Sequence, residues 1–175
     1  MRKGLKNKAF ILLTLAAIAA SVFMSGCSRQ NANTGSSSIE SGTQAVTFTD
    51  ALGRSVTVRS ADRVASLLGS FSEVWTLAGG KLVASVDDAW NSFDLGLPDD
   101  AVKLGAILEP NTELLIASRP DFVIASSNTE PDVAMRGTLE NAGITVAYFD
   151  INNFDDYLNM LNICTDITCL LYTSP

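Results

Sequence analysis

The sequence predicts an α/β fold: a Rossmann-like lobe with a mostly parallel sheet, helices on both faces, and a β-hairpin in front. A strand–loop–helix unit recurs from residue 63 onward, which is typical of right-handed crossovers between parallel strands. Residues 122–125, Phe-Val-Ile-Ala, form a continuous apolar run, as expected of a strand covered on both faces. Three small polar residues follow at 126–128, at the edge where open α/β sheets bind ligands.

Apolar patterning predicts the individual strands. Residues 46–49 and 55–58 alternate apolar and polar side chains around a turn, which predicts a hairpin at the edge of the lobe. Core strands are predicted at 63–68, 82–86, 102–104, 122–125 and 144–149. Residues 46–168 are long enough to form one lobe with its own core.

Capping residues and helix breakers predict the helices between these strands. Ser70 and Glu73 have the spacing of a capping box, and a pair of glycines ends the helix that they open. Asn111 can cap a short helix that Pro120 ends, and Glu113 complements the dipole of its first turn. Further helices are predicted at 131–142 and, by near-helical apolar spacing, from 154 onward.

The first 26 residues have the pattern of a lipoprotein signal peptide. Four basic residues precede a short apolar run, and small residues then lead to Cys27, the expected lipidation site. The apolar run is short for a membrane span, which needs roughly 20 residues, although a retained helix is the alternative. Residues 27–45 are rich in Ser, Asn, Gly and Thr and predict a flexible tether. We therefore expect an exported protein, anchored to the outer face of the cell membrane by lipid.

Charge and composition exclude several classes of function. Four of the 12 basic residues lie in the signal, which leaves 8 against 19 acidic residues and a net charge near −11, unsuited to nucleic acid. The chain has no histidine and no nucleophile elbow, P-loop or dinucleotide fingerprint, so we expect no enzyme, cofactor or metal site. Cys164 and Cys169 have no recognised metal spacing, and a disulfide between them is left open.

Four loops are predicted to leave the carboxyl ends of the strands and to meet at one edge, at 69–72, 87–91, 126–128 and 150–153. An aromatic face for stacking and polar groups for orientation suit a small-molecule site. The candidate ligand-binding residues in these loops are Ser70, Phe71, Asp88, Trp90, Ser127 and Asn128.

Four of these candidates have a purely structural alternative. Trp90 is equally well explained as a lid over the local core, and Phe71 as a core residue at the start of a helix. Ser70 is a candidate helix cap. Asp88, with its acidic neighbour Asp87, is explained either as a cation or amine site or as part of a solvated loop.

Several motifs together resemble the solute-binding lipoproteins of ABC importers for iron–siderophore, haem and cobalamin. They are the lipobox at Cys27, the spacer, the hairpin turn at 50–54, Arg-Val-Ala-Ser-Leu-Leu-Gly-Ser at 63–70, residues 105–113 leading into Arg-Pro-Asp-Phe-Val-Ile-Ala at 119–125, and residues 139–146. The resemblance implies two α/β lobes joined by a long helix, with the ligand between them. It therefore implies that this chain is the N-terminal lobe, without the joining helix and the second lobe.

The resemblance also implies partners and a docking residue. In the family that the chain resembles, an acidic residue in an Asn-x-Glu element of the N-terminal lobe docks on arginines of the permease, and Asn111-Thr112-Glu113 matches this element. The expected ligand is an iron chelate or a corrinoid, and the expected state is a monomer. The alternatives from other classes are a surface-anchored α/β hydrolase-like enzyme fragment and a structural lipoprotein.

Residues 169–175 are predicted to be a non-native tail. Cys-Leu-Leu-Tyr-Thr-Ser is the translation of TGTCTCTTATACACATCT, the end sequence of a common sequencing-library transposon. These residues also show no clear continuation of the helical pattern. A genuine natural terminus is the alternative.

Overall fold

The computed structural model describes residues 45–173, with side chains up to residue 168. The predicted signal peptide, Cys27 and nearly all of the tether therefore lie outside the described residues. The hairpin is present as predicted: β1 (Val46–Thr49) and β2 (Ser55–Val58) pair antiparallel, with Val46 opposite Val58.

The core is a five-stranded sheet in which every pairing is parallel. Its strands are β3 (Val64–Ser66), β4 (Leu82–Ser85), β5 (Val102–Lys103), β6 (Phe122–Ser126) and β7 (Thr145–Phe149). The spatial order is β5-β4-β3-β6-β7. The chain thus adds β4 and then β5 on one side of β3, and afterwards adds β6 and then β7 on the other side. The winding direction therefore reverses between β3 and β6.

Five helices connect or follow these strands within the described residues: α1 (Gly69–Leu77), α2 (Asp88–Asn91), α3 (Thr112–Ala117), α4 (Glu130–Asn141) and α5 (Phe154–Thr173). The segment predicted as a loop after β4 is thus a single helical turn. The prediction that the helical pattern ends before Cys169 was also wrong. No proline or glycine interrupts the chain from residue 154 to 173, so nothing stops the helix there.

Two hydrophobic cores, one on each face of the sheet, confirm the predicted layers. On one face the hairpin, α1 and α5 pack around Trp75 and Phe122. On the other face α3 and α4 pack around Leu115, Leu139 and Tyr148. All five residues of β6 are buried, as its continuous apolar run predicted. Trp75 and Tyr148 are fully buried, as expected for packing residues.

The hairpin turn covers the outer edge of β7. The N–H of Ala51 donates to the carbonyl of Tyr148, and the Tyr148 N–H donates to Oδ2 of Asp50. Arg54 donates to the carbonyl of Val146 at 2.9 Å and pairs with Asp50 at 2.6 Å and Glu140 at 2.6 Å. This turn therefore supplies partners for backbone groups that β7 leaves unpaired at the edge of the sheet.

No helix among residues 45–173 is long and apolar enough to cross a membrane. Cys164, on α5, is a buried free thiol. Burial raises the pKa of this thiol to about 12, so it stays protonated.

Candidate functional site

A cleft of about 470 Å³ opens at the carboxyl ends of β3 and β6, where the winding direction of the sheet reverses. Ligands of open α/β sheets bind at this position because the loops after the two strands diverge there and leave a crevice. The cleft is lined by Leu68, Ser70, Phe71, Glu73, Val74, Ser126, Asn128, Thr129, Asp150, Ile151 and Tyr157. Three of the six predicted ligand-binding residues, Ser70, Phe71 and Asn128, thus lie together in one cleft.

The polar side of the cleft is a hydrogen-bonded loop. The Asn128 side-chain amide donates to Asp150 Oδ1 at 2.5 Å, and Asn152 donates to Oδ2 of the same carboxylate at 2.8 Å. The Asn128 N–H donates to Ser126 Oγ at 3.1 Å. Ser127 instead turns its hydroxyl to the carbonyl of Phe149 at 3.3 Å and is not among the lining residues. The loop therefore presents Asn128 and Asp150 to the cleft in a fixed arrangement.

A buried carboxyl group lies beneath this loop. Asp132 is fully buried in the first turn of α4, and its Oδ2 accepts a hydrogen bond from the N–H of Ser126 at 2.9 Å. Its Oδ1 has no hydrogen-bond partner. Burial raises the pKa of Asp132 to about 7, despite the opposing effect of the Ser126 hydrogen bond. Sequence reasoning missed this residue, because one acid in a helix-opening turn looks like an ordinary dipole partner.

The apolar side of the cleft comes from α1 and α5. Phe71 is 3% exposed and contacts Phe149 edge-on at 6.3 Å, so it is a core residue that also forms part of the cleft wall. Tyr157 stacks on Phe154 at 6.1 Å, and Phe154 is 69% exposed. Tyr157 is half-buried and packs against the core, so the pair offers a partly exposed flat apolar surface beside the cleft. The sequence pattern indicated only that these two residues share one face of a helix.

Asp88 and Trp90 are not among the lining residues of this cleft. Asp88 Oδ2 accepts a hydrogen bond from the N–H of Gly69 at 3.0 Å, and Asp88 Oδ1 is buried without a partner. Asp88 therefore supplies the side-chain contact at the start of α1, where neither Ser70 nor Glu73 makes the predicted capping bond. Trp90 lies on α2, with the Lys103 ammonium 5.0 Å from its ring centroid.

Glu113 is exposed in the first turn of α3. The predicted cap is confirmed, since Asn111 Oδ1 accepts a hydrogen bond from the Leu114 N–H at 3.0 Å. The Asn111 N–H in turn donates to the carbonyl of Leu104, just beyond β5. The first turn of α3 therefore lies at the carboxyl edge of the sheet, the edge that carries the cleft.

Among residues 45–168 no cluster of His, Cys, Asp and Glu could hold a metal ion.

Comparisons with known proteins agree on the fold. No protein-family model and no curated relative matches the chain. The siderophore-binding protein BauB, solved with two acinetobactin molecules and ferric iron, is 19% identical with a TM-score of 0.56, over 74% of this chain and 49% of that chain. SirA of Staphylococcus aureus, solved with staphyloferrin B, is 18% identical with a TM-score of 0.55, over 73% of this chain and 44% of that chain.

The haem-binding protein HmuT is also similar, with 19% identity and a TM-score of 0.58, over 71% of this chain and 42% of that chain. The chain thus spans less than half the length of each of these three structures. The part of the chain that the structure describes shares its fold with one portion of siderophore- and haem-binding proteins.

Proposed function

We propose that this protein is the substrate-binding lipoprotein of an ABC importer, which captures an iron–siderophore-type chelate or a corrinoid and delivers it to a membrane permease. The observation that carries the proposal is the cleft between Leu68 and Ser126, at the point where the sheet reverses its winding. This cleft lies where an open α/β sheet is expected to bind its ligand. The fold that forms it is shared with siderophore- and haem-binding proteins.

The groups in the cleft suit reversible capture. Ser70 and Asn128 offer polar contacts, and Phe71 and Tyr157 offer apolar walls. We propose direct ligand contact for Ser70, Phe71 and Asn128. For Ser127, Asp88 and Trp90 ligand contact remains a prediction, and any contact by Asp88 or Trp90 would extend the site from β6 toward β4.

The first turn of α3 is the proposed docking point for the permease. Glu113 is exposed there, and two leucines close to it in sequence are also exposed, Leu108 at 70% and Leu114 at 43%. A carboxylate flanked by exposed apolar side chains suits an interface that combines an ion pair with apolar burial. Glu113→Ala should reduce co-purification with the permease and uptake of ligand, while ligand affinity stays unchanged. Glu130→Ala, another exposed first-turn glutamate, is the matched control and should leave co-purification with the permease unchanged.

Lipid anchoring through Cys27 is proposed from the sequence pattern, together with export and a monomeric state. Cys27→Ser should abolish incorporation of labelled palmitate and release the protein from the membrane fraction. Labelling that survives this substitution would contradict the anchor, while the capture function would be unaffected.

The central test is ligand binding by protein produced from its native gene. Titration with ferric siderophores, haem and cobalamin, followed by tryptophan fluorescence and calorimetry, should identify at least one ligand that saturates. Asn128→Ala should weaken that binding about tenfold, because it removes the amide that both lines the cleft and orders Asp150. The control Asn162→Ala, at an exposed position of α5, should leave ligand binding unchanged. Failure of every chelate to bind would refute the proposed function.

A further inference from the structure

The charges of the cleft restrict the kind of ligand that it can take. The charged side chains in its lining are both acidic: Glu73 on α1 and Asp150 after β7. Glu73 is exposed, and the Asp150 carboxylate is hydrogen-bonded by two neutral amides, from Asn128 and Asn152. Neutral amides orient a carboxylate but leave its charge in place. The cleft therefore presents net negative charge to a ligand.

The cations of the described residues lie elsewhere. Arg63, Lys81 and Arg119 come shortly before β3, β4 and β6, which places them at the opposite, amino-terminal edge of the parallel sheet. The Arg63 guanidinium is bonded there to the carbonyls of Ser118 and Arg119. None of these three side chains is among the residues that line the cleft.

The remaining cations of residues 45–168 do not line the cleft either. Arg54 is engaged by Asp50 and Glu140 at the outer edge of β7. Lys103, at the end of β5, lies over the Trp90 ring. Arg59 and Arg136 are exposed, on the segment after β2 and on α4.

Further acidic residues add to the charge of the same edge. They follow β4 and begin α4 and α5: Asp87, Asp88, Glu130, Asp155 and Asp156. Charges of one sign around a cleft repel ligands of that sign, and the repulsion is stronger where low-dielectric walls limit screening. Lys103 also lies at this edge, over the Trp90 ring and outside the lining, so a ligand with several negative charges would meet no compensating cation among the residues that line the cleft.

We infer that the cleft selects a neutral or cationic chelate over an anionic one of similar size. This inference rests on the proposed function and narrows its ligand class. Three monoanionic bidentate groups such as hydroxamates neutralise ferric iron, whereas three dianionic catecholates leave the complex with three negative charges. The favoured classes are therefore ferric hydroxamates and corrinoids without free carboxylates, and the disfavoured classes are ferric catecholates, ferric polycarboxylates and haem with its two propionates.

The test compares a ferric trihydroxamate with a ferric triscatecholate of matched size, using protein produced from its native gene. At low salt the trihydroxamate should bind at least tenfold more tightly, and the ratio should shrink at 0.5 M salt because screening weakens the repulsion. Binding of the catecholate as tightly as the hydroxamate would overturn the inference but leave the proposed function standing. Failure of both, and of haem and cobalamin, would overturn the proposed function itself.

Two substitutions locate the effect in the cleft. Glu73→Gln, at an exposed position, and Asp150→Asn should each shift the ratio of catecholate to hydroxamate affinity about threefold toward the catecholate. Asp166→Asn, at an exposed position of α5 outside the lining, is the control and should change neither affinity. An equal gain for Asp166→Asn would assign the preference to overall charge and contradict selection by the cleft.

Discussion

The backbone N–H of Gly69 donates a 3.0 Å hydrogen bond to Oδ2 of Asp88, which joins the start of α1 to the segment that follows β4. The approach leaves no room for a side chain. A Cβ at Gly69 would lie 2.6 Å from Cγ of Asp88 and 2.7 Å from Cδ2 of Phe93. The absence of a side chain at residue 69 thus allows Asp88 to reach the free N–H of Gly69 in the first turn of α1.

Gly69→Ala should destabilise the protein by roughly 1–3 kcal/mol, because the added methyl group overpacks this contact. Gly137→Ala is the matched control, since a Cβ at this helical position meets nothing within 4 Å. It should stabilise the protein by about 0.5–1 kcal/mol through helix propensity. Urea denaturation measures both changes, and a neutral Gly69→Ala would contradict the packing argument.

Arg54→Leu should destabilise the protein by roughly 2–3 kcal/mol, because it leaves the buried Asp50 carboxylate without its cation. The matched control is Arg59→Leu, at an exposed position just beyond the same hairpin, which should change stability by less than about 0.5 kcal/mol. Equal losses in the two variants would contradict a specific role for the ion pair. Chemical denaturation at neutral pH distinguishes these results.

The same ion pair predicts acid sensitivity. Burial alone would raise the pKa of Asp50, but the hydrogen bonds and charge of Arg54 outweigh it and hold the pKa below its ordinary value. The stabilisation is therefore complete above pH about 4 and is lost as the pH falls through the pKa of the folded state. Between pH 5 and pH 2.5 the wild-type protein should lose more unfolding free energy than Asp50→Asn does.

Asp132 predicts the opposite pH dependence. Its pKa of about 7 in the folded protein, against an ordinary value of 3.8, means that the fold favours the neutral acid. The unfolding free energy should therefore decline from pH 4 to pH 7, by roughly 1–3 kcal/mol. Asp132→Asn should remove this decline, whereas Asp166→Asn, at an exposed site, should retain it. A wild-type protein with a flat profile from pH 4 to pH 8 would refute the prediction.

Asn111→Ala should destabilise the protein by about 1 kcal/mol, because it removes the oxygen that caps the Leu114 N–H. Asn162→Ala, at an exposed position within α5, should be neutral or slightly stabilising, since alanine is the better helix former. A thermal denaturation series compares the two. If Asn111→Ala also reduces permease binding, the cap orders the proposed docking turn at Glu113.

Local patterns were sufficient to predict most of the fold. The apolar run at 122–125 identified β6, and Asn111 identified the start of α3, because both signals act over a few residues. Long-range contacts were not predictable in this way. Arg54 meets Glu140 across 86 positions in the sequence, and the cap of α1 comes from Asp88 rather than from the nearby Ser70. The residues next to Glu140 and Asp88 in the sequence form no pattern that predicts these contacts.

The sequence predicted one shared edge of the sheet for the candidate residues, but not which strands at that edge border the cleft. All the predicted loops follow carboxyl strand ends, so Ser70 and Asn128 were expected to share an edge with Asp88 and Trp90. The observed strand order places β4 on the far side of β3 from β6. Ser70 and Asn128 line the cleft at the reversal point, whereas Asp88 and Trp90 do not. Strand order depends on tertiary pairing, which a periodic pattern does not encode.

The hairpin turn has a further consequence for the solubility of the chain. An exposed edge strand presents unpaired N–H and carbonyl groups, which can template the addition of a strand from another molecule and begin aggregation. The turn from Asp50 to Arg54 occupies this position on β7, and the opposite edge strand, β5, is only two residues long. Both borders of the sheet are thus poor templates for such self-association.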